Sequence, residues 1–309
     1  MKHFFLLLIL FSTVIVGYSQ ENQPVSVAPV KENTPPPDPQ SKAVPPPPGA
    51  QTKETPATPG AQTKETPPPP GTLTNAMVNA ANNPLARNNS FAFQNYYMPS
   101  LNGIPGASSN SFMVRPVVVM PFMIFRATIP FNTIPATPDT DPISGLSDIN
   151  MFATFLLTRS TSKVQFGLGP QLSFPTASNP QLGTEKWQAG LAAVMVKLGE
   201  TYLIGGLLTW QMSYAGTSTR SDCNQLNFQP FYVFQIGKGF TLKGTAVWTF
   251  DFVNGTYYIP FGLGVGKVML INKAVVSIGL EPQYTFLHNG LGQPVFQLFA
   301  GLSIQFPQK

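Results

Sequence analysis

Between residues 294 and 306 every second side chain is apolar: Phe296, Leu298, Ala300, Leu302, Ile304 and Phe306. The positions between them are Gln297, Phe299, Gly301, Ser303 and Gln305, most of them small or polar. Side chains alternate across an extended strand, so this stretch presents one oily face and one mostly polar face. The same alternation recurs from about residue 90 onward. It predicts about twelve strands: 90–98, 111–119, 123–132, 146–158, 163–175, 186–198, 201–214, 224–236, 240–252, 256–270, 273–287 and 294–306. Asn-Gly, Gly-Lys-Gly and Ser/Thr-rich pieces separate them, as turns do. No segment carries a helical period.

A soluble sandwich would alternate too, but these strands are long. Soluble strands average about 5–6 residues, whereas a tilted strand crossing a membrane needs about 9–11. Aromatics gather near strand ends, among them Trp187, Tyr202, Tyr214, Phe252, Tyr257 and Tyr258, as an interfacial girdle requires. Connections alternate between longer (99–110, 133–145, 176–185, 215–223, 288–293) and tight (120–122, 159–162, 199–200, 237–239, 271–272), with 253–255 a short turn among the longer set. Outer-membrane barrels have short periplasmic turns, longer outer loops and an even strand count. Lipid cannot satisfy backbone hydrogen bonds, so a sheet in a membrane must close on itself. The expectation is an all-β, antiparallel transmembrane β-barrel over residues 90–309, with lipid on its oily face and a polar lumen. Residues 294–306 would be the closing strand, and its aromatic end at Phe306 suits the signal read by the outer-membrane assembly machinery.

The N-terminus begins MKHFFLLLILFSTVIVGYSQ, a Lys followed by an apolar run and small residues at 17 and 19. This predicts a secretory signal peptide over 1–19. Residues 20–89 are expected to form a disordered, proline-rich periplasmic arm, with PGAQTKET at 48–55 and again at 59–66. Extended as polyproline, about 50 such residues would reach at most ~150 Å. The arm is either a spacer or a tether, through 21–71, to the cell wall or a periplasmic protein.

Composition narrows the functions. Charged residues make up 10% and the net charge is +5, too thin a spread for a nucleic-acid footprint. Cys223 is the single cysteine and His288 the one histidine after residue 19, so metal sites and catalytic triads are poorly supplied. No cofactor, no metal and no enzymatic activity are expected. A membrane lipase reading would rest on His288 alone, which falls in a predicted loop.

The stretches GLSDIN (145–150), FGLGPQLSFPTASNPQLGTEKWQAG (166–190), NQLNFQPF (224–231), IPFGLGVGKV (259–268) and IQFP (304–307) carry a resemblance. From about residue 82 to 309 the chain resembles a family of Gram-negative outer-membrane barrels described as transporters or as proteins of a MetA pathway of phenol degradation. The segment around 119–124 looks shortened against the family pattern, and the arm lies outside the resemblance. The resemblance implies a membrane barrel and a transport role; it supplies no catalytic residues.

Polar faces that point inward place Arg115, Arg126, Asp148, Lys163, Lys243, Asp251 and Glu281 in or at the mouth of the lumen. They are either an internal charge network or a constriction that sets selectivity, as charged rings do in pores. The leading expectation is a channel for passive passage of small, apolar or aromatic solutes. The alternative is a structural anchor with a plugged barrel. Pro170 and Pro175, and Pro260 with Gly262, Gly264 and Gly266, are expected to interrupt their strands, as bulges or as a lateral opening. Asp139 and Asp141 read as solvated loop charge.

Overall fold

The computed structural model describes residues 72–135 and 141–307. The expected signal peptide, the arm as far as residue 71, both PGAQTKET repeats and Asp139 lie outside the described residues.

The strands run in chain order as β1 (Asn88–Leu101), β2 (Ser109–Val119), β3 (Met123–Ile134), β4 (Ile143–Leu146), β5 (Ile149–Leu156), β6 (Val164–Phe174), β7 (Lys186–Leu198) and β8 (Tyr202–Gly216). They continue as β9 (Asn224–Gly237), β10 (Phe240–Gly244), β11 (Trp248–Asp251), β12 (Thr256–Gly262), β13 (Gly264–Ile271), β14 (Ala274–Asn289) and β15 (Pro294–Pro307). Every pairing is antiparallel, and β15 pairs with both β14 and β1, which closes the sheet. β10 and β11 are two halves of one stave, as are β12 and β13, and β4 continues the stave of β5, both pairing along β3. The wall is therefore a closed barrel of 12 staves.

Long connections lie at one end of the barrel. The tight ones lie at the other, beside the start of β1 and the end of β15. We refer to these as the long-loop end and the short-turn end. In the two-residue turn after β9, Lys238 and Gly239 both take positive φ (51° and 77°), the primed hairpin geometry that matches strand twist.

Burial follows the alternation. Outward positions are large, apolar and open, such as Leu191 (51% exposed), Met195 (57%), Ile236 (65%) and Phe286 (64%). Their inward neighbours are covered, such as Val194 (1%) and Gln283 (0%). A continuous apolar outer face with polar groups behind it is the reverse of a water-soluble globule.

Two expectations need correction. Residues 75–82, assigned to the arm, are a helix, α1 (Asn75–Asn82), whose N-cap Thr74 accepts from the Met77 amide. β6 runs unbroken through Pro170, which pairs with Leu191 of β7. On the other side its ladder with β5 lapses between Gln171 and Leu168, so the missing proline N–H falls where no bond is made. Pro175 lies just beyond the end of β6.

Candidate functional site

The lumen divides into two halves with different chemistry. Toward the short-turn end, inward positions of β7, β8 and β9 carry Val194, Val196, Leu203, Leu207, Phe231 and Val233. These pack with Ile124, Phe152 and Leu85 into an apolar collar. Segment 73–87 enters this mouth. Val78 and Ala81 pack against inward-facing Val268 and Val275. Asn79 donates to the Gly199 carbonyl at 2.8 Å, Gln235 to Asn79 Oδ1 at 2.8 Å, and Gln305 to the Ala81 carbonyl at 3.0 Å. Beyond the helix, Asn83 donates to Gln165 at 2.9 Å and Leu85 joins the collar. The segment thus touches staves all round the mouth.

Toward the long-loop end the inner face is rich in amides, joined in sequence. Gln171 donates to Gln211, Gln211 to Gln188 at 2.8 Å, Gln188 to Thr184 Oγ1 at 3.0 Å, and Thr184 to Asp148 at 2.7 Å. A second series runs from Gln297 to Gln283 at 2.6 Å and from Gln283 to Glu281 at 2.8 Å.

Glu281 has a structural task. Residues 245–247 lie outside the ladder between β10 and β11, and Leu263 lies outside it between β12 and β13. Buried backbone groups must find partners, and a wall facing hydrocarbon has no water to supply them. Four side chains meet this need. Glu281 accepts from the Thr245 amide and the Thr245 hydroxyl, both at 2.8 Å. Gln229 donates to the Thr245 carbonyl at 2.7 Å, Trp248 to the Pro260 carbonyl at 3.0 Å, and Tyr232 to the Gly262 carbonyl. Two stitches come from the lumen and two from the outer face. Outside, four rings form a row over the seam: Tyr232 stacks on Phe261, Phe261 is tilted against Phe286, and Phe286 meets Tyr284 edge-on. The expected irregularity at Pro260–Gly266 is thus a bulge at Pro260 and a one-residue interruption at Leu263, both closed. Gly262 is required because a Cβ there would meet the Glu281 carboxyl as it crosses to Thr245, and Gly264 because a Cβ there would meet the Leu280 carbonyl oxygen and the Cα and Cβ of Glu281. Gly264→Ala should therefore lower the unfolding temperature of the barrel more than Gly106→Ala, where a Cβ meets open space and the strain is that of a positive φ alone.

The seven expected charges separate. Arg115, Arg126, Lys243 and Glu281 are inward on the wall. Arg115 and Arg126 lie on adjoining strands at diagonal positions, and Lys243 lies along glycines Gly266 and Gly279 near Glu281. The other three lie at the ends of the barrel. Lys163 is exposed in the turn before β6. Asp251 caps its own turn, accepting from the Val253 and Asn254 amides at 2.9 and 3.1 Å. Asp148 pins loops, accepting from the Ala177 and Thr184 amides at 3.2 and 2.7 Å. Alternation assigns a face to each residue but not a depth, so the sequence does not separate wall from mouth. His288, expected in a loop, is inside β14 opposite Tyr258.

At the long-loop end Arg220 donates to the Gly183 and Pro180 carbonyls, at 2.6 and 2.8 Å, and pairs with Glu185 at 3.4 Å. Lys186, nearly covered, pairs with exposed Asp222 at 3.0 Å. These contacts tie loops 175–185 and 217–223 together. The hydrogen bond from Lys186, then that from Ser213, holds the Asp222 carboxyl below its ordinary 3.8. The tie is expected to be complete above that ordinary value and to be lost only as pH falls through the lower folded one. Hydrogen exchange of amides 217–223 across this acid range checks it, and Asp222→Asn should give the loosened exchange at neutral pH.

No family model matches the chain, and no curated protein matches it. Solved structures do. The COG4313 outer membrane channel from Pseudomonas putida F1 aligns with a TM-score of 0.52 at 16% identity, over 72% of this chain and 97% of that one. The NanC porin aligns at 0.45 and 8% identity, over 71% and 100%. The DcaP channel of Acinetobacter baumannii aligns at 0.27 and 6% identity, over 71% and 96%. The first of these supports the barrel fold.

Proposed function

We propose that this chain is an outer-membrane channel for the passive passage of small solutes, stoppered at its inner mouth by its own segment 73–87. The observation that carries the reading is the stopper itself: a helix held in one mouth of a closed barrel whose other half is lined with amides. The apolar outer face suits lipid, and the short-turn end suits the periplasm. The lumen combines an apolar collar with aromatic and charged groups, which fits solutes that are small and apolar or aromatic. The insertion machinery of the outer membrane and its lipid are then the partners, with the cell wall or a periplasmic protein available to the arm.

The likeness of the fold to the Pseudomonas putida outer membrane channel supports a transport role. A second reading, a plugged anchor without transport, is favoured by the packing of Leu85 into the collar. Planar-bilayer recording separates the two. The channel reading expects unitary currents from the purified, folded barrel, occasional in the intact chain. A folded barrel that passes neither ions nor solutes into liposomes leaves only the anchor.

A further inference from the structure

The inward row across β2, β3, β5 and β6 holds polar atoms without partners. Arg126, Phe152 and Gln171 are directly paired positions on three successive strands, and Arg115 sits diagonally beside Arg126. The Nε atoms of Arg115 and Arg126 and the Oε1 atom of Gln171 are covered and make no hydrogen bond. The ion pairs of the described residues are Lys186–Asp222 and Arg220–Glu185, both at the loops, so neither lumen arginine has an acidic partner. Arg115 donates to Gln94 Oε1 and to the Met113 sulfur, both neutral. The Arg126 guanidinium lies 4.3 Å from the centroid of the Phe152 ring. Glu281, the acidic group within electrostatic reach of this region, is committed to Thr245 and Gln283.

Two half-buried cations on adjoining strands, their Nε atoms covered and without a counter-charge, are costly unless something anionic joins them. Each guanidinium offers five N–H donors in a fork that matches a carboxylate. We infer that Arg115 and Arg126 form a lumen subsite for a small organic carboxylate with an apolar body. The anion is bridged by the two guanidiniums, and its body lies against Phe152. The surroundings choose the class. Phe152 belongs to the apolar collar, and the Tyr96 and Phe299 rings pack at a tilt, 4.9 Å between centroids, on the opposite flank of Arg115's strand. A strongly hydrated phosphate would find polar donors on one side alone, whereas a carboxylate on an apolar body matches both. Gln171 Oε1 remains as an acceptor for a hydroxyl or amine on that body. The inference rests on the channel reading only for how the solute reaches the site.

The test titrates the detergent-solubilised, folded full chain with benzoate, benzyl alcohol, acetate and chloride by calorimetry. The expected result is saturable benzoate binding that benzyl alcohol and chloride do not reproduce, with acetate weaker. Arg115→Gln with Arg126→Gln should weaken it at least tenfold, and Arg115→Lys with Arg126→Lys should restore only part. Equal binding of benzoate and benzyl alcohol, or no benzoate binding, overturns the subsite; this comparison needs no variant and holds even where the double variant fails to fold. The two readings fail separately. Benzoate binding to a barrel that carries no current removes the channel and keeps the subsite, and current without benzoate binding does the reverse.

Discussion

Deleting residues 72–86 is expected to raise the unitary conductance of the purified barrel several-fold while its wall stays folded. The wall closes through β1 and β15, and no residue of the helix takes part in its ladder. The helix, by contrast, depends on the wall. It has eight residues, NAMVNAAN, and an isolated helix shorter than about 12–15 residues is marginal in water. What holds it is the packing of Val78, 2% exposed, on Val268 and Val275, with hydrogen bonds to Gly199, Gln235 and Gln305. Val78→Asp attacks the same contact without shortening the chain. An unpaired carboxylate buried there would cost several kcal/mol, so the helix should leave the mouth and melt. Both changes should give the same enlarged current. Gel mobility with and without heating would show that the barrel is intact. An unchanged current in both would mean that the apolar collar, and not the helix, seals the lumen.

How much of this was legible differs by feature. The staves were legible because a barrel wall needs alternation over many residues. In β14, Leu280, Tyr284 and Phe286 are open on the outer face while Glu281, Gln283 and Thr285 are covered on the inner one, as the sequence reads. The helix was not, because NAMVNAAN is too short to show a period and follows a proline-rich tract; Thr74 as an N-cap was its one local signal. The apolar collar was half visible. Residues 191–196 read LAAVMV, apolar on both faces, which signals a second buried side where the lumen is filled. The arginine pair was visible as two residues on neighbouring strands, but not their lack of acidic partners. That depends on Glu281 being drawn away to Thr245, a contact across staves that no spacing encodes. For the same reason the seam between β10 and β11 read as continuous strand. Thr245, Ala246 and Val247 keep the alternation while leaving the ladder.

Replacing Glu281 is expected to be among the most destabilising changes in the wall. The side chain is 0% exposed and accepts three hydrogen bonds, from the Thr245 amide, the Thr245 hydroxyl and Gln283. Glu281→Ala leaves the Thr245 amide without an acceptor at a break in the ladder, and leaves Lys243 without the carboxylate it faces. Removing one partner from such a covered charged network costs about 3–5 kcal/mol, against about 1 kcal/mol for an average substitution. Glu281→Gln should cost much less, because its Oε1 can still accept from the Thr245 amide and Gln283 while its amide group donates to the rotatable Thr245 hydroxyl. The measurement is the temperature at which the folded band disappears on gels, or the urea midpoint in detergent. The order expected is wild type, then Glu281→Gln, then Glu281→Ala. Adding Lys243→Met to Glu281→Ala should recover part of the loss, since it removes the cation left behind. The coupling between the two changes then measures their interaction directly. Additive losses would show that Lys243 and Glu281 act independently. An Ala variant as stable as wild type would show that the seam is held from the outer face by Trp248 and Tyr232 alone.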